Sequence, residues 1–242
     1  MRGGPLRGLL AIPAYNEAAT LPALIASLRQ ELPTLDLLVV DDCSYDATPI
    51  IVRELGVRSA RHPCNLGYGR AIQTAIRFAM SGQYDYVVTV DGDGQHPPAQ
   101  ARTVVEHFLA TSVDLCIGSR FVSSRSYVGS PLARRLGMVT FSWLARIVTG
   151  QRFYDTTSGL KVMRRTIFEP LTRWNLVDFH AEAIVYLARL GFSVSECPVT
   201  MEPRRHGESM YSFIDIFTYP LKTLLMVAIA SVQASLSRRG AR

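Results

Sequence analysis

Four short runs of apolar and β-branched residues punctuate the first half of the chain: LLAI at 9–12, LLVVDD at 37–42, YVVTVD at 86–91 and VDLCIGS at 113–119. Each reads as a buried strand. Between them apolar residues recur with helical spacing, at Leu21, Leu24, Ile25 and Leu28 and again at Ala71, Ile72, Ala75, Ile76 and Ala79. Asp46 with Thr48-Pro49, and Pro97-Pro98, mark helix starts. Strands alternating with helices predict an α/β fold around a mainly parallel, Rossmann-like sheet.

After Arg120 the pattern changes. A Ser/Gly-rich stretch (VSSRSYVGSP) leads into an amphipathic run with Leu136, Val139, Phe141, Trp143, Leu144 and Ile147. A strand-like GLKVM at 159–163, a helix over 181–190 and a strand pair around Phe192 to Thr200 follow. No linker divides the chain, so residues 1–212 are expected to form one domain. Residues 213–242 form a C-terminal amphipathic segment whose apolar centre, Leu224 to Ala230, is flanked by Tyr219, Lys222, Arg238, Arg239 and Arg242. That flanking suits a helix lying in a membrane interface, with burial in the core as the other reading; the apolar run is too short to span a bilayer.

Composition excludes global disorder, because 48% of the 242 residues are apolar. The net charge of +6 is uneven: between Arg120 and Arg173 ten Lys/Arg face only Asp155 and Glu169. A concentrated basic region attracts phosphates, whether on lipid, substrate or nucleic acid. The four cysteines, Cys43, Cys64, Cys116 and Cys197, are far apart, with no C-x-x-C pair and no secretory pattern before them, and read as reduced thiols of a cytosolic protein.

In open α/β sheets ligands gather at the carboxyl ends of strands. Here those positions carry Pro13-Ala14-Tyr15-Asn16-Glu17, Asp41-Asp42-Cys43-Ser44-Tyr45-Asp46 and Asp91-Gly92-Asp93-Gly94-Gln95-His96. Three acidic loops at one edge repel one another unless a cation joins them. Asp91 and Asp93, two apart on extended backbone, face the same way, and Gln95 continues the spacing with a carbonyl oxygen. Mg²⁺ or Mn²⁺ binds such hard oxygen donors together with substrate phosphates. Asn65-Leu66-Gly67-Tyr68-Gly69-Arg70 precedes a helix, where glycines admit close backbone approach and the helix start favours anions. It is not the G-x-G-x-x-G dinucleotide fingerprint.

The ordered set I-P-A-Y-N-E, V-D-D-x-S-x-D, N-x-G-x-G-R-A, D-G-D-G-Q-H-P-P, G-S-R, D-x-x-S-G and R-x-x-G-E-S resembles family 2 glycosyltransferases, in particular the dolichol- and polyprenyl-phosphate sugar synthases. The resemblance runs from residue 8 to about residue 212. It implies a GT-A type fold and an inverting, metal-dependent transfer from a GDP- or UDP-sugar to a polyprenyl phosphate. It assigns the donor nucleotide to Pro13, Tyr15, Glu17, Asp41, Asp42, Asn65 and Gly69, the Mg²⁺ or Mn²⁺ ion and catalysis to Asp91 and Asp93, with Gln95 as a further ligand, and the acceptor phosphate to Arg120, Arg134 and Arg204. It also implies a peripheral protein on the cytoplasmic face of a membrane, with room for a small membrane-protein partner and no nucleic acid. Two positions depart from the family pattern: Met138 stands where relatives often carry serine, and Met210 where they carry lysine.

The acceptor decides what else the chemistry needs. A sugar hydroxyl requires a general base, for which Asp178 or Glu182 in DFHAE would serve. A lipid phosphate is already an anion and needs positioning cations, which the arginines supply. A non-catalytic relative that keeps only the nucleotide-sugar site is the alternative of a different class, and the intact Asp91, Asp93 and Gln95 speak against it.

Overall fold

The computed structural model describes residues 4–122, 142–143, 145–174, 179–200 and 213–240. Seven strands form one sheet: β1 (Gly8–Ala14), β2 (Asp36–Asp41), β3 (Arg58–Arg61), β4 (Tyr86–Thr89), β5 (Leu115–Ser119), β6 (Lys161–Arg164) and β7 (Val194–Pro198), in the order β3-β2-β1-β4-β6-β5-β7. β6 alone runs antiparallel to its neighbours β4 and β5, and the other pairings are parallel. The helices are α1 (Leu21–Glu31), α2 (Thr48–Glu54), α3 (Tyr68–Ser81), α4 (Pro98–Ala110), α5 (Phe168–Arg173), α6 (Ala181–Leu190) and α7 (Phe213–Gly240).

Alternation along the strands divides the core in two. Leu9, Ala11, Leu38 and Val40 face α3, α5, α6 and α7, where Ile72, Ile76, Phe168, Ile184 and Val227 are buried. Leu10, Ile12, Val39 and Val88 face α1, α2 and α4, against Leu24, Ile25, Val52, Val104 and Phe108. Both helical spacings read from the sequence fall on these buried faces.

Three expectations change. The edge strand β3, with sequence RSAR and mostly exposed, carries no apolar alternation and was not legible. Where a strand pair is expected over 192–200, the described residues form the single strand β7, paired among them with β5. The described members of the basic stretch do not all share one exposed face. Arg120 and Lys161 are buried, Arg164 donates to the carbonyls of Val113 and Thr111, and Arg165 to that of Tyr84, all within the fold. Among the described residues of that stretch, Arg146, Arg152, Arg165 and Arg173 are exposed.

The C-terminal helix is partly buried in the core and partly exposed. Val227, Ala230 and Ala234 are buried in the core beside α6, and Ser237 meets Trp174 Nε1 and the Tyr186 hydroxyl, each at 3.2 Å. Its outward side leaves Leu225, Ile229, Val232 and Leu236 exposed, and Trp143 and Ile147 of the neighbouring helical stretch are exposed as well. No helix among the described residues is long and apolar enough to cross a membrane.

Candidate active site

β1 pairs with β2 on one side and with β4 on the other, so the chain direction across the sheet switches at β1. The crevice at its carboxyl end is where ligands bind in such sheets. Backbone bonds tie the first two acidic loops together: Asn16 N donates to Ser44 Oγ (2.9 Å), Tyr45 N to Asn16 Oδ1 (3.0 Å), Glu17 N to Thr48 Oγ1 (2.9 Å) and Ala18 N to Asp46 Oδ2 (3.2 Å). Thr20 closes the third side, its hydroxyl donating to the Gly92 carbonyl (2.7 Å) and to Glu17 Oε2 (2.9 Å). Pro13 is half-buried at the foot of this crevice. Tyr15 stands at the rim, edge-on to Tyr45 with ring centroids 6.0 Å apart, and Tyr45 is 83% exposed.

The two aspartates ending β2 have separate tasks. Asp41 Oδ1 accepts from Ser44 N (2.9 Å), and Oδ2 faces Arg61 Nε at 3.1 Å. Asp42 is committed to the fold: Oδ1 lies 2.6 Å from His62 Nδ1 and accepts from Leu66 N (2.9 Å), while Oδ2 accepts from Gly67 N (2.7 Å). His62 Nε2 is held 2.9 Å from Thr74 Oγ1 on α3. Asp42 therefore shapes the turn that carries Asn65 and Gly69. Gly67 sits there at φ 91, a conformation that favours glycine.

Asp91 is half-buried as a residue, with the Tyr68 hydroxyl beside its carboxyl, yet its Oδ1 is out of reach of solvent and has no close hydrogen-bond partner among the described residues. Burial raises its carboxyl above the usual range. The carboxylate rests directly on Gly159 of the D-x-x-S-G motif, where a Cβ would fall 1.9 Å from Oδ2. Gly159 is itself anchored by its carbonyl, which accepts from Thr89 Oγ1 (2.7 Å). Lys161, buried among Asp91, Asp155 and Arg120, donates to the Ser158 carbonyl, and burial lowers its ammonium to about 8. Asp93 is buried and accepts from Gln95 N (3.0 Å), with Gln95 half-buried beside it. His96 is buried with neither ring nitrogen bonded among the described residues, and burial holds its pKa low.

Arg120 is placed differently from a free phosphate clamp. Its Nε and Nη2 grip the two oxygens of Asp155 at 2.6 and 2.7 Å, with side chains 5% and 0% exposed. Burial raises the Asp155 carboxyl, but the bonds from Arg120 outweigh this and hold it below the usual range. Glu196 completes the strap, accepting from Tyr154 N (2.8 Å) and Asp155 N (2.7 Å). Of the two base candidates, Glu182 caps its own helix by accepting from Phe179 N (3.0 Å). Asp178, Arg134, Met138, Arg204 and Met210 lie outside the described residues.

Residues 10–172 match the model of the family described as "Glycosyl transferase family 2". The chain is a family 2 glycosyltransferase. This glycosyltransferase is 32% identical over 216 residues to an undecaprenyl-phosphate mannosyltransferase of Micrococcus luteus, covering 86% of this chain and 88% of the relative. It is 30% identical over 217 residues to a polyprenol monophosphomannose synthase of Mycolicibacterium smegmatis, covering 85% and 81%. Its fold, of GT-A type, superposes with a TM-score of 0.68 and 18% identity on glucosyl-3-phosphoglycerate synthase of Mycobacterium tuberculosis in complex with Mn²⁺, UDP-glucose and phosphoglyceric acid, covering 93% of this chain and 80% of that one.

Several residues of this glycosyltransferase's crevice escaped the sequence reading. Arg61, His62 and Thr74 carry no strand-end or motif signal, because β3 itself was not recognised. Gly159 and Asp155 were visible in D-x-x-S-G, but nothing in the spacing says that the glycine receives Asp91 or that the aspartate receives Arg120.

Proposed function

We propose that this glycosyltransferase moves a sugar from a nucleotide diphosphate sugar to a polyprenyl phosphate, with inversion at the anomeric carbon. The observation that carries the reading is the identity to polyprenyl-phosphate mannosyl-transferring relatives across more than four fifths of the chain, over a crevice that gathers the three acidic loops. Pro13, Tyr15, Glu17 and Asp41 line the donor side, and Asp42 acts through the Asn65–Gly69 turn. Tyr15 and Tyr45 offer aromatic surface to a base.

The residues present fit a divalent ion. Asp91, Asp93 and Gln95 provide oxygen donors, and the buried Oδ1 of Asp91 is an acceptor with no close partner among the described residues. Donor phosphates would complete the shell of an ion held by so few side chains. Such an ion, Mg²⁺ or Mn²⁺, supplies charge neutralisation for the departing diphosphate.

The acceptor phosphate oxygen bonds to the anomeric carbon as the bond to the diphosphate oxygen breaks, and the bonding pair leaves on the diphosphate. The acceptor is ionised at neutral pH, so no side chain needs to remove a proton. Glu182, occupied as a helix cap, agrees with that economy. Arg120, bound to Asp155, orders the acceptor-side wall, and direct phosphate contact falls to Arg134 and Arg204.

Lipid acceptors require a place at the membrane. The outward row Leu225, Ile229, Val232 and Leu236, with Trp143 and Ile147, would rest in the interface of the cytoplasmic leaflet, with exposed Arg146 near anionic head groups. The test is to incubate the purified chain with a panel of labelled GDP- and UDP-sugars, with and without polyprenyl phosphate, in Mn²⁺, Mg²⁺ or EDTA. Label should appear in lipid only with polyprenyl phosphate and only with metal; full transfer in EDTA would remove the metal from the proposal.

A further inference from the structure

Two of the four cysteines are core residues. Cys116 and Cys197 are buried in the sheet, and burial pushes the Cys116 thiol up to about 12. The other two lie on the loops of the candidate donor crevice. Cys64 is exposed and Cys43 partly so, and neither has a role in the chemistry assigned above.

Strand register sets Cys43 opposite Pro63, the residue before Cys64. β2 and β3 run parallel with Asp41 opposite Arg61, and His62 N continues the ladder to the Asp41 carbonyl at 2.9 Å. One residue further along each strand, Asp42 grips His62. Beyond that pair the Cys43 Sγ reaches the Pro63 carbonyl oxygen at 3.6 Å. That carbonyl opens the peptide bond into Cys64, so a single planar peptide unit separates the Cys43 sulfur from the α-carbon of Cys64. Disulfides join residues whose Cα atoms lie about 4.4–6.8 Å apart. Cys43, at φ 65, lies outside regular strand geometry.

We infer that Cys43 and Cys64 form a thiol modification site, closed by a hydroperoxide into an intramolecular disulfide that bridges the two donor loops. Each thiol loses one proton and one electron as the two sulfurs join in the new S–S bond. The peroxide O–O bond breaks and takes up both electrons and both protons, leaving water and the corresponding alcohol, or two waters from hydrogen peroxide. A dithiol reductant reverses the reaction.

The bond matters because of what each loop holds. The turn after Cys43 carries Ser44 and Tyr45, which are bonded to Asn16, and the turn after Cys64 is held by Asp42 through Leu66 and Gly67. Drawing Cys43 onto Cys64 narrows the slot between them. This consequence rests on the donor reading of those loops, and a fall of about tenfold in nucleoside diphosphate affinity, equal to about 1.4 kcal/mol, is expected on oxidation.

The experiment treats the full chain with hydrogen peroxide, then measures intact mass, maps peptides without reduction and titrates UDP and GDP by calorimetry, before and after dithiothreitol. The expected result is a loss of two mass units, a linked peptide pair containing Cys43 and Cys64, and weaker nucleotide binding restored by reductant. Cys43→Ser and Cys64→Ser should each abolish all three changes while leaving nucleotide binding of the untreated protein intact. Absence of the linked pair, or oxidation of Cys64 to sulfinic acid instead, overturns the site. A linked pair with unchanged nucleotide affinity upholds the site and overturns the donor reading of the loops.

Discussion

Asp91 and Gly159 touch so closely that a side chain at 159 would occupy the space of the Asp91 carboxylate, 1.9 Å from Oδ2. Gly159 cannot retreat easily, since its carbonyl is held by Thr89 in the interior of the sheet. Gly159→Ala is therefore expected to displace the carboxylate. The overpacking should cost about 1–3 kcal/mol of stability, and the displaced charge should lower turnover by about a hundredfold or more. Thermal unfolding read beside sugar transfer checks both; an alanine variant with wild-type turnover would show that Asp91 is not needed where the structure places it.

The buried Arg120–Asp155 pair gives a pH-dependent expectation. Removing one partner leaves an unpaired buried charge, so Arg120→Ala should destabilise the chain by about 3–5 kcal/mol. Because the Asp155 carboxyl is held below its usual value in the folded state, its stabilisation is complete above the unfolded value of about 3.9 and fades as pH falls through the lower folded value. Asp155→Asn should thus be less stable than wild type at pH 7 and show a shallower loss of stability below about pH 4. Denaturant unfolding at a series of pH values measures this, and identical acid limbs in the two proteins would contradict it.

Much of this architecture was written in local patterns. Leu9 to Ile12 is apolar at every position, as a strand buried on both faces requires, Ala71 to Ala79 have a helical spacing that one buried face satisfies, and the acidic strand ends point to the crevice by their position alone. What was hidden depends on contacts between distant segments. β3 reads as polar because it is an edge strand, and it takes the His62–Asp42 contact with it. The basic excess after Arg120 suggested a phosphate-binding face, yet charge counting cannot tell an arginine held by Asp155 or by backbone carbonyls from one in solvent. That Glu182, a candidate base only for a sugar-hydroxyl acceptor, accepts a bond from Phe179 N at the start of its helix is likewise invisible to spacing.

His62 is expected to act on nucleotide binding through Asp42. His62→Ala removes a 2.6 Å partner of Asp42 Oδ1 and loosens the Leu66–Gly67 turn. Loss of one charge-assisted bond of this kind, worth about 1.5–3 kcal/mol, should weaken nucleoside diphosphate binding by about ten- to a hundredfold. Calorimetric titration with UDP and GDP reads it, and unchanged affinity would separate this turn from the donor.

Membrane association is best tested on the outer row of α7, since deleting residues 219–242 would also remove Val227, Ala230 and Ala234 from the core. Replacing Leu225, Ile229, Val232 and Leu236 by serine should leave the melting temperature near wild type and reduce co-sedimentation with anionic vesicles several-fold, because apolar burial at the interface is lost. Equal sedimentation would assign that row to another partner.

The acceptor is the central claim, and comparing polyprenyl phosphate with the matching phosphate-free polyprenol tests it most directly. With a saturating labelled nucleotide sugar and divalent metal, the account expects label in the organic phase only when the phosphate is present, as a glycosyl phosphate released by mild acid. Replacing Arg134 or Arg204 by alanine should cut acceptor efficiency by about ten- to a hundredfold, with Asp178→Asn nearly unaffected. Equal glycosylation of the free alcohol, or a mild-acid-stable product whose formation depends on Asp178 and not on the arginines, would contradict it.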